Sequence, residues 1–238
     1  MIGVATVARR AAALLFETLL PADCLLCGVW LPFRQEGGVC LPCWERLPWR
    51  PGGRTPRRGP LDRFVWGADY DGDFRRLIRI YKFERFDPLG KPLGRAAAGR
   101  LRGGRLDPRR ALVVVPVPLH WTRRFRRGFN PAALLADGLA DALGLPVVRN
   151  ALLRRRRGRH QVGLGRRERR RALAGVFVAP RRATRPLRGR DVLLVDDVVT
   201  TGATLEACAE ALRKAGARSV VGFALARTPR IGVDPRNG

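Results

Sequence analysis

Residues 192–206 read VLLVDDVVTTGATLE and gather the residue types of a sugar-phosphate site. The run Val192-Leu193-Leu194-Val195 is unbroken and apolar, and it ends on two adjacent carboxylates, Asp196 and Asp197. Thr200, Thr201, Gly202 and Thr204 come next, followed by apolar positions at helical spacing: Leu205, Cys208, Ala209 and Leu212. An apolar run without alternation fits a parallel strand buried on both faces. A strand that turns through small hydroxyl residues into a helix leaves backbone N–H groups pointing outward at the helix N-terminus, which suits a phosphate. Carboxylates repel a phosphate, so the acidic pair is better used on neutral hydroxyls beside it. Diol acceptors next to a phosphate cradle describe a pocket for ribose 5-phosphate. Neither GxxxxGK[ST] nor a post-strand GxGxxG occurs in the chain.

A second constellation is made of cysteine. Cys24-x-x-Cys27 and Cys40-x-x-Cys43 are separated by twelve residues. In a reducing compartment this spacing reads as a tetrahedral four-thiolate zinc site, with a redox dithiol pair as the alternative. Four thiolates leave no open coordination position, so the ion would be structural and would close a hairpin too small to fold alone. Trp30, Leu31, Phe33 and Trp44 are expected to pack around it. The fifth cysteine, Cys208, lies on the apolar face of the helix after the phosphate loop and reads as a small core residue.

The elements that must hold these residues can be read from pattern. Residues 1–50 form an N-terminal helix and the cysteine module. Residues 51–61, within the Pro-, Gly- and Arg-rich run RPGGRTPRRGPL, read as a linker, and 62–238 form the main domain. A strand is expected over 64–68, and a helix over 74–83 from Phe74, Leu77, Ile78 and Tyr81. A further helix covers 89–101, a buried strand 112–117, a helix 131–143, a short strand 146–148 and a last strand 220–225. Strands alternating with helices argue a parallel α/β sheet. Ligands in such sheets sit at the carboxyl ends of strands. Two loops qualify: the one after Asp197 and the arginine-rich one that follows the 112–117 strand.

The formal net charge is +27 with a pI near 11.8, which attracts polyanions. Lys82, Lys91 and Lys214 are the only lysines, so the charge is nearly all arginine. Together with abundant Ala, Gly and Pro, that composition is equally what a GC-rich coding sequence produces. No run reaches the ~18 apolar residues of a membrane span. At the N-terminus, Arg9 and Arg10 precede a short apolar run that Glu17 interrupts, too short for a signal peptide. An amphipathic helix and a cytoplasmic location are expected.

The 192–206 stretch resembles the signature of the type I phosphoribosyltransferases, which bind 5-phosphoribosyl-1-pyrophosphate (PRPP). The wider order of motifs is similar to the ComF-type family of competence-associated proteins: four cysteines, YDGDFRRLIRIYKF (70–83), VPVPLH (115–120), RGFN (127–130) and VDDVVTTGAT. The resemblance covers nearly the whole chain. It implies an α/β, parallel-sheet type I phosphoribosyltransferase fold with a small N-terminal zinc-binding module, PRPP bound with Mg²⁺, and a link to DNA uptake. Carried over, Asp196 and Asp197 would hold the ribose hydroxyls. Backbone amides and hydroxyls from Val199 through Thr200, Thr201, Gly202 and Ala203 to Thr204 would hold the 5-phosphate. Pro118, Leu119 and His120 would face the pyrophosphate. The chain departs from the family pattern at Pro131, Gly158 and Ala172; the last two fall in the segment equivalent to the mobile active-site loop.

Residues 149–171 carry eleven arginines against Glu168 alone. They either follow a nucleic-acid backbone or form a solvated loop over the PRPP site. Trp121, Phe125 and Phe129 in the other basic loop offer stacking surfaces for single-stranded bases. His120 and His160 are either proton shuttles or plain loop residues. Three functions fit: a phosphoribosyltransferase acting on a base-containing acceptor, a PRPP sensor without turnover, and a PRPP-dependent nucleic-acid-binding accessory of transformation with a competence-machinery protein as partner.

Overall fold

Apolar runs without alternation become buried strands of a parallel sheet. The computed structural model describes residues 22–31, 36–50, 53–56, 59–102, 112–120, 122, 125, 127–155 and 172–229. The expected N-terminal helix, Phe33, Trp121 and all of 156–171, His160 included, lie outside the described residues. The chain divides into two units, Met1–Leu47 and Pro48–Gly238.

In the first unit, β1 (Ala22–Asp23) and β2 (Trp30–Leu31) pair antiparallel. The helix α1 (Leu41–Arg46) starts on Cys40 with proline in its first turn, where no N–H is needed. Leu31, Val39 and Leu47 are buried. Trp30 does not join them: it is 58% exposed. Alternation along β2 sends it to the side opposite Leu31.

The second unit is built on a five-stranded sheet. Its strands are β3 (Gly53–Pro56), β4 (Arg63–Asp69), β5 (Leu112–Pro116), β8 (Asp191–Val199) and β9 (Ser219–Arg227), in the order β3-β4-β9-β8-β5. The last four are parallel, and β3 is an antiparallel edge. That edge lies inside the stretch read as a linker. Its pairing with Arg63–Trp66 is a tertiary choice that local composition does not announce. A two-residue ribbon, β6 (Leu153–Arg154) with β7 (Phe177–Val178), stands apart from the sheet. Val147 of the expected 146–148 strand makes a single parallel bridge to Val114.

The helices are α2 (Gly72–Phe83), α3 (Gly90–Arg102), α4 (Pro131–Leu143), α5 (Arg181–Leu187) and α6 (Ala203–Lys214). Every residue of β5 is buried, as are Val192–Val195 of β8. Val192 and Leu194 share one core with Leu205, Cys208, Ala209 and Leu212 of α6. Leu193 and Val195 point to the other face. Helices α3 and α4 cross at backbone contact: a methyl on Gly138 would overlap the Lys91 carbonyl, and one on Gly94 the Leu135 carbonyl. At Gly90 the added carbon would lie 2.6 Å from both Tyr81 Oη and Leu134 Cβ. This close crossing fixes where α4 begins, next to the end of β5. Acids at the amino ends of the strands are structural: Asp191 accepts bonds from Arg218 and Ser219 at 2.6–2.8 Å.

No helix among the described residues is long and apolar enough to cross a membrane.

Candidate functional site

The carboxyl ends of β5 and β8 lie side by side. Pro116 registers with Val195, and the Val117 N–H donates to the Val195 carbonyl at 2.8 Å. The loops 117–130 and 200–202 therefore leave the sheet at the same edge, as parallel topology requires.

The strand does not stop at the acidic pair. β8 runs on to Val199, so Asp196 and Asp197 are strand residues with opposite orientations. Asp196 shares the α6 face with Cys208, whose thiol is pushed up by burial and then by the Asp196 charge. Burial, then the neighbouring Asp197 charge, pushes the Asp196 carboxyl up to about 7. Lys82, the Asp197 amide and Arg154 pull it partly back. Asp197 is 9% exposed and faces the other side. There Lys82 Nζ lies 2.7 Å from its Oδ1, and the Val198 amide donates to the same oxygen at 2.5 Å.

After Val199 the backbone turns through Thr200 and Thr201 into Gly202, whose φ of 84° is the left-handed conformation glycine tolerates best. α6 starts at Ala203, and the Ala203 amide donates to Thr201 Oγ1 at 3.4 Å. The first amides of a helix have no intrahelical carbonyl. The Ala203 amide finds Thr201 Oγ1 in place of such a carbonyl.

Lys82 is the residue that sequence reasoning missed. It is separated from Asp197 by more than a hundred residues, and only its rarity as a lysine hinted at a role. The triplet Tyr81-Lys82-Phe83 divides its work. Tyr81 is fully buried, donates to the Pro131 carbonyl at 2.7 Å and packs against Phe129 with ring centroids 5.4 Å apart. Lys82 reaches Asp197. Phe83 is 68% exposed beneath the Arg127 guanidinium, 5.3 Å from its ring centroid. The end of α2 is thereby fastened to the loop after β5.

In that loop Pro118 and Leu119 are half-buried, and His120 is buried. The His120 Nδ1 lies 2.8 Å from Thr122 Oγ1 and accepts the Thr122 N–H at 3.3 Å. This pattern assigns the ring proton to Nε2. Asn130 caps the turn by donating from Nδ2 to the Val117 carbonyl at 3.0 Å. Pro131, where the family pattern has another residue, takes the first position of α4, which suits its fixed φ. Of the basic segment 149–171, Arg154 reaches the neighbourhood of Asp196 and stacks over Phe177, 5.5 Å from its centroid.

In the first unit, the four sulfurs of Cys24, Cys27, Cys40 and Cys43 lie within 4.8 Å of one another. Cys27 Sγ and Cys40 Sγ are 3.7 Å apart. A tetrahedral ion with bonds of about 2.3 Å to sulfur requires sulfurs about 3.8 Å apart. The Cys40 amide donates to Cys24 Sγ at 3.3 Å, and Arg46 to Cys43 Sγ at 3.4 Å. Burial opposes ionisation of Cys24, but amides of Cys27, Cys40 and Leu26 bring its thiol down to about 6. Burial, reinforced by the neighbouring sulfurs, drives Cys40 up to about 12. A cluster so placed can hold a metal ion, with N–H donors already turned toward its thiolates. Cys208 is buried in the second unit.

A family model described as a phosphoribosyl transferase domain matches residues 125–237. The DNA utilization protein YhgH of Escherichia coli O157:H7 is 34% identical over 232 residues, spanning 95% of this chain and 91% of that protein. Competence protein F of Haemophilus influenzae is 33% identical over 211 residues, 86% of this chain and 84% of its own. Among solved structures, an allosteric regulatory enzyme of purine biosynthesis superposes with a TM-score of 0.39 at 25% identity, covering 58% of this chain and 26% of that one.

Proposed function

The chain belongs to the ComF-type family of phosphoribosyltransferase-like proteins, and from that premise we propose that it binds PRPP with Mg²⁺ at the shared edge of β5 and β8. The observation that carries the reading is the junction of Asp196 and Asp197 with the Thr200–Thr204 turn. Carboxylates serve neutral hydroxyls, and helix-end amides serve the phosphate. In this reading Asp196 takes a ribose hydroxyl from the α6 side and Asp197 from the α2 side. Lys82 holds Asp197 through Oδ1, and its charge offsets the acidic pair so that a polyanion can approach. Backbone from Val199 to Thr204 receives the 5-phosphate, and Pro118–His120 face the pyrophosphate. Mg²⁺ bound with PRPP would screen the pyrophosphate charge and favour its departure.

If turnover occurs, a nucleophile of the acceptor displaces pyrophosphate at the anomeric carbon. The positive charge that develops on the ribose is met by the fixed carboxylates, so no nucleophilic side chain is needed. The four-cysteine cluster is assigned a structural zinc ion. The names of the two relatives support a role in the uptake or use of DNA, and the proposal includes single-stranded DNA and a competence-machinery protein as partners and a cytoplasmic location. The buried Lys82–Asp197 pair favours the second reading as well, a PRPP-dependent accessory without turnover, because it serves binding equally. Pyrophosphate release from Mg-PRPP separates the two. Release that depends on an added base or DNA establishes a transferase. PRPP binding with no release under any acceptor establishes the accessory. The absence of both binding and release refutes the proposal.

A further inference from the structure

Helix α2 carries more than the lysine that enters the site. Leu77, Ile78 and Tyr81 are buried, so the opposite face points to solvent. On that face Arg76, Arg79 and Phe83 are all exposed. Their spacing of three and four residues aligns them in one stripe along the helix. At a rise of about 1.5 Å per residue the stripe is roughly 10 Å long. It ends on Phe83, immediately after Lys82 and hence at the rim of the phosphoribosyl edge. Arg127, from the loop after β5, lies over one face of the Phe83 ring. The 68% exposure of Phe83 is then that of its rim and remaining face. A lone exposed aromatic is ordinary. One that closes an arginine stripe, bears a guanidinium and borders a ligand site is a built feature. The aromatics expected to stack bases fare differently: Phe129 is spent on Tyr81, and Phe125 stands 90% exposed with no ring contact among those described.

We propose that the Arg76–Arg79–Phe83 stripe, completed by Arg127, binds single-stranded nucleic acid, with guanidinia along its phosphates and an unpaired base on the Phe83 ring. Two observations select this occupant. Guanidinia complement a phosphate chain, and an aromatic ring beside them offers what a base needs and a duplex hides. A strand seated there runs toward Lys82 and brings a base to the edge where PRPP is proposed to sit. The inference rests on the nucleic-acid part of the reading above and moves its main contact from 149–171 to α2.

The test is fluorescence anisotropy with a short oligothymidylate and an abasic strand of equal length, read across a salt series. The intact protein is expected to prefer the base-bearing strand by about tenfold. Phe83→Ala removes the preference, and Phe83→Trp keeps it. Arg76→Ser with Arg79→Ser weakens both strands alike and flattens the salt slope by roughly 1.4, two phosphates at ~0.7 each. Arg181→Ser with Arg185→Ser, an equal loss of charge on α5, leaves the slope unchanged. Phe83→Ala retaining the full preference, or the α5 pair costing as much as the α2 pair, overturns the proposal. A PRPP titration on the same samples keeps the two readings apart. Base preference without PRPP binding removes the phosphoribosyl reading and leaves the stripe. PRPP binding without base preference does the reverse.

Discussion

Replacing either neighbouring aspartate by asparagine is the same chemical change, yet the structure gives the two opposite signs for stability. Asp196 is pushed up to about 7 from an ordinary 3.8, chiefly by burial and then by Asp197. With a raised carboxyl pKa, the folded chain keeps a proton that the unfolded chain releases. Stability therefore falls as pH climbs from about 4 to about 7, and the penalty is complete above that. Three pKa units correspond to about 4 kcal/mol at most. Asparagine still buries a polar group, so recovery of about 2 kcal/mol is the working expectation. Asp196→Asn should then raise the melting temperature by roughly 4–8 °C at pH 8. The gain should shrink as pH is lowered toward 4. Asp197→Asn leaves Lys82, whose side chain is 15% exposed, without its carboxylate. Breaking a buried pair from one side costs about 3–5 kcal/mol, offset in part because Asp196 loses a repulsive neighbour. Adding Lys82→Met to Asp197→Asn should recover much of the loss. Thermal melts of the four proteins at several pH values are the assay. Two single variants shifting in the same direction at pH 8, or an Asp196→Asn gain that does not vary with pH, would refute the reasoning.

The cysteine cluster makes a prediction of its own: one zinc per chain by elemental analysis, and metal content lost in Cys24→Ser with Cys43→Ser while the second unit melts as before. Full occupancy in that double variant would remove the assignment. Gly138→Ala is expected to destabilise the second unit by about 1–3 kcal/mol through overpacking against the Lys91 carbonyl. A denaturation midpoint equal to that of the unchanged protein would show that α3 and α4 can part at low cost.

Much of the scaffold was legible because burial writes itself into pattern. The unbroken runs at 112–117 and 192–195 became buried parallel strands, and Phe74, Leu77, Ile78 and Tyr81 line the buried face of α2. The paired CxxC spacing placed four sulfurs within reach of one ion, because each turn is local. What pattern could not supply was pairing at a distance. β3 is hidden in a Gly-Pro-Arg stretch, since an edge strand needs only backbone and a partner. Helix α5 escaped notice behind Pro186, which sits inside it. The acidic pair was expected at the end of its strand, but β8 continues to Val199 and turns the two carboxylates to opposite faces. Lys82 entered the site only once α2 was folded against β8. Phe83 looked like one more apolar residue of that helix until its exposure and its arginine neighbour were seen.

The central claim is that Asp196, Asp197 and the turn after them form a PRPP site. Calorimetric titration of Mg-PRPP into the intact protein and into Asp196→Asn with Asp197→Asn tests it most directly. Charge-assisted bonds are worth about 1.5–3 kcal/mol each, so losing both carboxylates should weaken binding by at least about a hundredfold. A melt of the same double variant confirms that it is folded. Saturable binding to the intact protein, abolished in the folded double variant, is the predicted result. Equal affinity for the two proteins would contradict the account.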